Sequence, residues 1–214
     1  MKLEWIGHAC FKLTAQDGTT VITDPYDDSV GIDMVPLHAD LITMSHEHHD
    51  HNETDMIVGK PVIVHGTETV KTGSVKAQAV ASYHDDAEGA KRGPNAIRIF
   101  EIDGMKVVHM GDQGCMPDAV ALEAIKDADI MLIPVGGTYT VDAQEAKAIV
   151  ECAKPRCVIP MHVKTKRCPY PIEKVQDFLM LMGVADAAAI DVLNVTKETV
   201  PCGVVLMNPM ADEL

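Results

Sequence analysis

Ser45-His46-Glu47-His48-His49-Asp50-His51 sets four candidate metal ligands within six residues, in the pattern His-x-His-x-Asp-His. Imidazole and carboxylate are the donors preferred by zinc and its first-row neighbours, and three imidazoles with a carboxylate exceed what one ion needs from one loop. A paired-metal centre is the first expectation. The run follows Leu41-Ile42-Thr43-Met44, an apolar stretch that reads as a buried strand, so the chain leaves a sheet at Ser45. Alternation in an extended segment turns His46 and His48 to one side. A short helix from about Asp50 then turns Asp50 and His51 toward a second position. His49 has the opposite parity and is expected to face solvent.

Two ions need ligands from elsewhere, and three further stretches offer one at a strand end. His84 follows Val75–Tyr83, Asp112 follows Met105–Gly111, and His162 follows Cys157–Met161. Each stands between a β-rich run and a polar or turn-forming stretch.

With these residues in view, the chain resembles the metallo-β-lactamase superfamily, whose members carry His-x-His-x-Asp-His and then a lone His, a lone Asp and a lone His. Gly7-His8, Thr23-Asp24-Pro25, Gly111-Asp112-Gln113-Gly114, Pro134 to Thr140 and Ile159 to His162 are similar to its small hydrolase branch, which includes the ascorbate phosphate lactonase. The resemblance implies an α/β (α+β) fold, a four-layer αββα sandwich of two mixed β-sheets with helices on the outer faces. It assigns His46, His48 and His84 to one metal, Asp50, His51 and His162 to a second, and Asp112 to both. True β-lactamases have no bridging aspartate, and the flavodiiron branch has Glu at the place of His48, so antibiotic hydrolysis and di-iron redox chemistry are disfavoured. His65 is the rival of His84; Gly89, Gly93 and Asn95 follow His84 as in the resembling branch.

The implied chemistry is hydrolysis by a metal-bound hydroxide shared between two cations about 3.5–4 Å apart. Asp50 is the catalytic candidate, binding the second metal and handling the proton. Asp24 supports the His46 loop, because metal-binding imidazoles donate their other N–H to a carboxylate or carbonyl. His8, Asn95 and Tyr139 are candidates for contact with substrate or for support of the site. Zinc is the expected metal, with Mn2+, Fe2+ and Ni2+ as alternatives. The expected substrate is a small ester, lactone or phosphate ester, with Lys91, Arg92, Lys164, Lys166 and Arg167 near the ligands to hold an anion. A non-catalytic metal-binding regulatory or interaction module is the alternative from another class, and an RNA-processing nuclease a third.

Composition fits this reading. The 214 residues, 47% hydrophobic and without a linker-like stretch, suit a single domain over 1–214. The formal charge of −14, from 18 basic and 32 acidic residues, repels a polyanion, so no nucleic-acid partner is expected. Six cysteines without a Cys-x-x-Cys pair, no secretory-type N-terminus and no membrane-spanning apolar run point to a reduced, cytoplasmic chain. Oligomeric state has no signal.

Periodicity predicts strands at Leu3–Ile6, Cys10–Thr14, Thr20–Thr23, Leu41–Met44, Pro61–Val64, Val75–Ser82, Ala96–Ile102, Met105–Met110, Ile130–Val135, Cys157–Met161 and Val204–Met207. Helices are predicted from Pro117 to Lys126, from Asp142 to Ala153 behind a capping box with Glu145, and from Pro171 to a stop at Gly183.

Overall fold

Alternation along the first strands sends their apolar side chains to two opposite faces, both of which are buried. The computed structural model describes residues 1–214. In chain order its strands are β1 Lys2–Gly7, β2 Cys10–Thr14, β3 Thr20–Thr23, β4 Leu37–His38, β5 Leu41–Thr43, β6 Ile57–Val58, β7 Val62–Val64, β8 Val70–Thr72, β9 Val75–Tyr83, β10 Pro94–Ile102, β11 Met105–His109, β12 Ile130–Pro134, β13 Cys157–Met161, β14 Val192–Asn194 and β15 Gly203–Val204. The helices are α1 Ala119–Ile125, α2 Ala143–Ala153 and α3 Gln176–Leu181, with a 3-10 turn at Asp28–Val30. Two mixed sheets form, one in the order β14-β1-β2-β3-β5-β7 and one in the order β15-β13-β12-β11-β10-β9-β8; β4 and β6 pair separately.

Trp5, Phe11, Leu13, Val21 and Leu41 of the first sheet enter a core of 46 buried residues shared with Ile97, Ile99, Val107 and Leu132 of the second. Their strand neighbours Ile6, Cys10, Ile22 and Ile42 face the other way, into a smaller core of 11 with Tyr26, Val30, Ile32 and Met34 from the β3–β5 crossover. The steps β11-α1-β12-α2-β13 join parallel neighbours, and crossovers of one hand put both helices on one face of the second sheet. Ile125, Ile149 and Phe178 bury that face. The layers are αββα, and the helical part of the layer over the first sheet is the short 3-10 turn.

Strand direction then places the functional residues. β1 runs antiparallel to β2 and β2 to β3, while β3, β5 and β7 are parallel. In the second sheet β9, β11, β12 and β13 likewise share one direction. Loops after the carboxyl ends of parallel strands are where open α/β sheets build their sites. Two connections bring the carboxyl edges of both sheets together: Ala96 N donates to Ser45 O at 2.8 Å, and buried Arg98 donates through Nε to Met44 O and through Nη2 to Val64 O, each at 3.2 Å.

Three expectations change. The helix expected from Pro171 begins only at Gln176, because Glu173 N donates to Gly136 O at 2.7 Å and Glu173 O accepts from Lys164 N at 2.8 Å. Glu173 thus spends both its backbone groups on neighbouring loops. The short helix expected at Asp50 is a turn closed by His51 N on His48 O at 2.9 Å. The last strand spans only Gly203–Val204 along β13, and Met207 instead bridges Ile190.

Candidate metal centre

Asp112 lies at the middle of the carboxyl edge. Its Oδ2 stands 3.3 Å from His51 Nε2, 3.2 Å from His84 Nε2 and 3.3 Å from His162 Nε2. Its Oδ1 is buried and receives no hydrogen bond, and His51 Nε2 is in the same condition. Burial opposes ionisation of Asp112, but His162 and His51 more than offset it and hold the carboxyl well below its ordinary range. On the other side of the cluster, His46 Nε2 and His48 Nδ1 are 3.0 Å apart. The nitrogens of His46, His48 and His84 lie within 4.8 Å of one another, and so do those of His8, His51 and His162.

Hydrogen bonds fix which nitrogen faces the centre. Ser45 Oγ has one proton, donated to Asp24 Oδ2 at 2.5 Å, so it accepts from His46 Nδ1 at 2.9 Å. His46, kept neutral by burial, which lowers its pKa to about 3, therefore turns the lone pair of Nε2 inward. His51 Nδ1 donates to the same Asp24 Oδ2 at 3.0 Å, which directs Nε2 inward as well. Asp24 Oδ1 accepts from Ser45 N at 2.7 Å. Burial works against the Asp24 carboxylate, yet the His51 hydrogen bond and the neighbouring imidazoles bring its pKa down to about 2. His51, although buried, is raised well above its usual value by Asp112 and Asp24.

N and O donors about 2.0–2.1 Å from one zinc ion stand roughly 3.0–3.4 Å apart. The Asp112 contacts and the His46–His48 separation fall in that range, and His51 Nε2 and Asp112 Oδ1 are buried there without hydrogen-bond partners. The donor set fits a metal.

The other expected residues divide cleanly. Asp50 reaches the same cleft, its Oδ2 3.8 Å from His51 Nε2 and 3.4 Å from His8 Nε2. Asn95 is buried and holds the Asp112 loop, donating to Met110 O at 2.9 Å and accepting from Asp112 N at 3.1 Å; burial removes it from contact with substrate. Tyr139 lines a cleft of about 350 Å³ with His48, His49, Asp50, His84, Arg92, Asp112, His162 and Tyr170. His49 is exposed and meets Asp27 Oδ2 at 3.1 Å. His65 is exposed and paired with Glu47 at 3.0 Å, and is not in the groups formed by His46, His48, His51, His84 and His162. Of the basic residues only Arg92 lines this cleft; Lys91 pairs with Asp86, Lys166 with Glu213 and Arg167 with Asp33, while Lys164 donates to Tyr170 O. A larger cleft of about 460 Å³ beside α2 and α3 contains no imidazole.

Three participants had no distinguishing signal in the sequence. Ser45 reads as a strand end, Tyr170 as a turn residue between two prolines, and His109 as one more residue of β11. His109 Nδ1 accepts from Gly111 N at 3.1 Å and Nε2 donates to Ala9 O at 2.7 Å, tying the Asp112 loop to the His8 turn. The loops also nest closely. A Cβ on Gly111, whose φ is 56°, would come within 2.4 Å of the Ser45 Cβ, and one on Gly114 within 2.2 Å of the His84 carbonyl carbon.

The family model described as "Beta-lactamase superfamily domain" matches residues 2–162. The solved structure of a Thermotoga maritima protein, provisionally assigned as a Zn-dependent hydrolase of the metallo-β-lactamase superfamily, is 32% identical, with a TM-score of 0.80 over 96% of this chain and 97% of that one. This chain belongs to the metallo-β-lactamase superfamily. A "UPF0173 metal-dependent hydrolase" from Thermoplasma acidophilum is 32% identical over 190 residues, covering 77% of the chain and 84% of the relative. One of the same description from Archaeoglobus fulgidus is 29% identical over 196 residues, with the same coverage. The superfamily chain described here has no helix long and apolar enough to cross a membrane.

Proposed function

We propose that this single-domain chain is a binuclear metal-dependent hydrolase of small esters, lactones or phosphate esters. The observation that carries the proposal is Asp112 Oδ2, set 3.2–3.3 Å from three imidazole Nε2 atoms supplied by three separate loops. In this reading His46, His48 and His84 hold one ion, Asp50, His51 and His162 the other, and Asp112 both. The names of the relatives as metal-dependent hydrolases support the reaction class. Zinc suits the imidazole and carboxylate donors best.

Two divalent cations bound there supply Lewis acidity and lower the pKa of water toward neutrality. The protein does the rest. Asp24 and Ser45 hold His46 and His51 in one tautomer, and Asn95 holds the Asp112 loop. The Asp50 carboxylate, which lines the cleft, would receive the proton of the attacking water. Arg92 donates to Thr138 O at 3.0 Å, lies 5.7 Å from the centre of the Tyr139 ring and forms no ion pair. Its free donors suit a carboxylate or phosphate on the substrate, in a cleft the size of a small metabolite.

The test is to load purified protein with Zn2+ or Mn2+ and assay panels of carboxyl esters, lactones and phosphoesters. Turnover abolished by chelation and restored by metal is the expected result. Silence across all three panels at full metal occupancy would overturn the hydrolase reading.

A further inference from the structure

His8 is a buried imidazole of this cluster to which the ligand assignment gives no role. It occupies the tight β1–β2 turn, where the register shifts between Trp5 and Gly7, and its backbone is in the left-handed region at φ 53°. For a residue with a Cβ that conformation is strained, and it persists where the surroundings over-determine it. Here they do. Trp5 Nε1 donates to His8 O at 3.0 Å, His162 N donates to the same oxygen at 3.1 Å, and His109 Nε2 clamps Ala9 O. The imidazole is left 2% exposed, its ring centre 4.0 Å from that of His162 and 5.0 Å from that of His51.

Its Nε2 is buried and forms no hydrogen bond, although Asp50 Oδ2 lies 3.4 Å away. Asp50 has a matching need. Asp24 accepts three hydrogen bonds and the Asp112 loop is held by Asn95, whereas nothing outside the cluster pairs with the Asp50 carboxylate. A carboxylate that binds a cation through one oxygen is oriented by whatever holds the other, and such outer partners are worth 10–100-fold in metal affinity.

We propose that His8 is a positioning residue for the Asp50 side of the centre. Its Nε2–H holds one Asp50 oxygen and leaves the other for the ion shared with His51 and His162, so His8 governs occupancy of that position and not of the His46–His48–His84 position. The inference rests on the binuclear reading above.

Elemental analysis and stepwise Co2+ titration, followed by d–d absorption, test it on the wild type, His8→Phe and His8→Gln, with circular dichroism as the check on folding. Wild type should bind two ions. His8→Phe keeps an aromatic ring but has no nitrogen, so it should hold the first ion normally and the second about 10–100-fold more weakly. His8→Gln carries an amide N–H of similar reach and should recover most of the loss, also when His8→Phe fails to fold and His8→Ala takes its place. Two ions bound with wild-type affinity by His8→Phe overturn this inference alone. Equal weakening of both ions, or no recovery in His8→Gln, overturns it too, the latter by making His8 a ligand. A single ion in the wild type overturns the binuclear reading and this inference with it.

Discussion

Asp24 orders two imidazoles through a single oxygen, and the pH behaviour of the metal-free protein follows from that. Its carboxyl is held near 2, against about 3.9 for an unfolded aspartate, so its contribution is complete above about pH 4 and is lost as pH falls through about 2. His51 is shifted upward, so its contribution is complete below about pH 6.5 and is lost as pH rises through the raised value. His8 and His46, whose pKa values burial lowers to about 3, penalise the folded state as pH falls below about 6.5, so thermal melts of metal-free protein should show greatest stability near pH 6.5. Asp24→Asn should flatten both flanks and cost about 3–5 kcal/mol, the usual effect of breaking a buried pair. If His51 is a ligand as proposed, a cation would displace its proton, so Zn2+ binding at pH 7 should release protons, and fewer in Asp24→Asn, as read with a pH indicator. That His46, His48, Asp50 and His51 would gather at one place was legible in the sequence, since His-x-His-x-Asp-His groups residue types that no packing need would group. Ser45 and His109 were not, because their roles depend on contacts with Asp24 and Ala9 that only tertiary folding creates.

At the scale of elements, the loop after β9 is organised by one buried carboxylate. Asp85 accepts from the backbone N–H groups of Ala87, Gly89, Lys91 and Arg92 at 2.7–2.9 Å. Burial disfavours its charge, but these amides outweigh that and hold the pKa at about 2. Asp85→Ala should speed amide exchange across residues 86–93 and loosen Arg92 without changing metal content, which hydrogen-exchange mass spectrometry and elemental analysis would show. The capping box of α2 was readable because Asp142 and Glu145 stand three residues apart, and both of its hydrogen bonds form, at 2.9 and 3.0 Å. Asp142→Ala should cost about 1 kcal/mol in a calorimetric melt. The start of α3 was misread for an instructive reason. Ile172 and Val175 have helical spacing with Phe178 and Leu179 and are buried, but Glu173 between them bonds to Gly136 and Lys164. Apolar spacing reports burial; it does not say where the amides go.

Over the whole molecule, the proposed ligands come from both sheets and meet at one edge, so a bound cation pair ties the two sheets together. Chelation should lower the melting temperature, since a ligand at 1,000 times its Kd stabilises by about 4.1 kcal/mol. Asp112→Ala should remove most of that difference, because it deletes the carboxylate common to both ions. The strands along this edge were readable from alternation and short apolar runs. Short edge strands such as β8 and β14 were not, because Val70–Thr72 and Val192–Asn194 are too brief to show a period and are defined by the neighbours they pair with.

The nesting of Gly111 against Ser45 and of Gly114 against the His84 carbonyl also limits how such a pocket can be re-engineered. A directed-evolution library that leaves every donor intact but randomises these two glycines should yield mostly metal-poor clones, because even one methyl group forces the loops apart. Diversity is better spent at Arg92, Tyr139 and Tyr170, where side chains border open cleft and can vary without moving a donor.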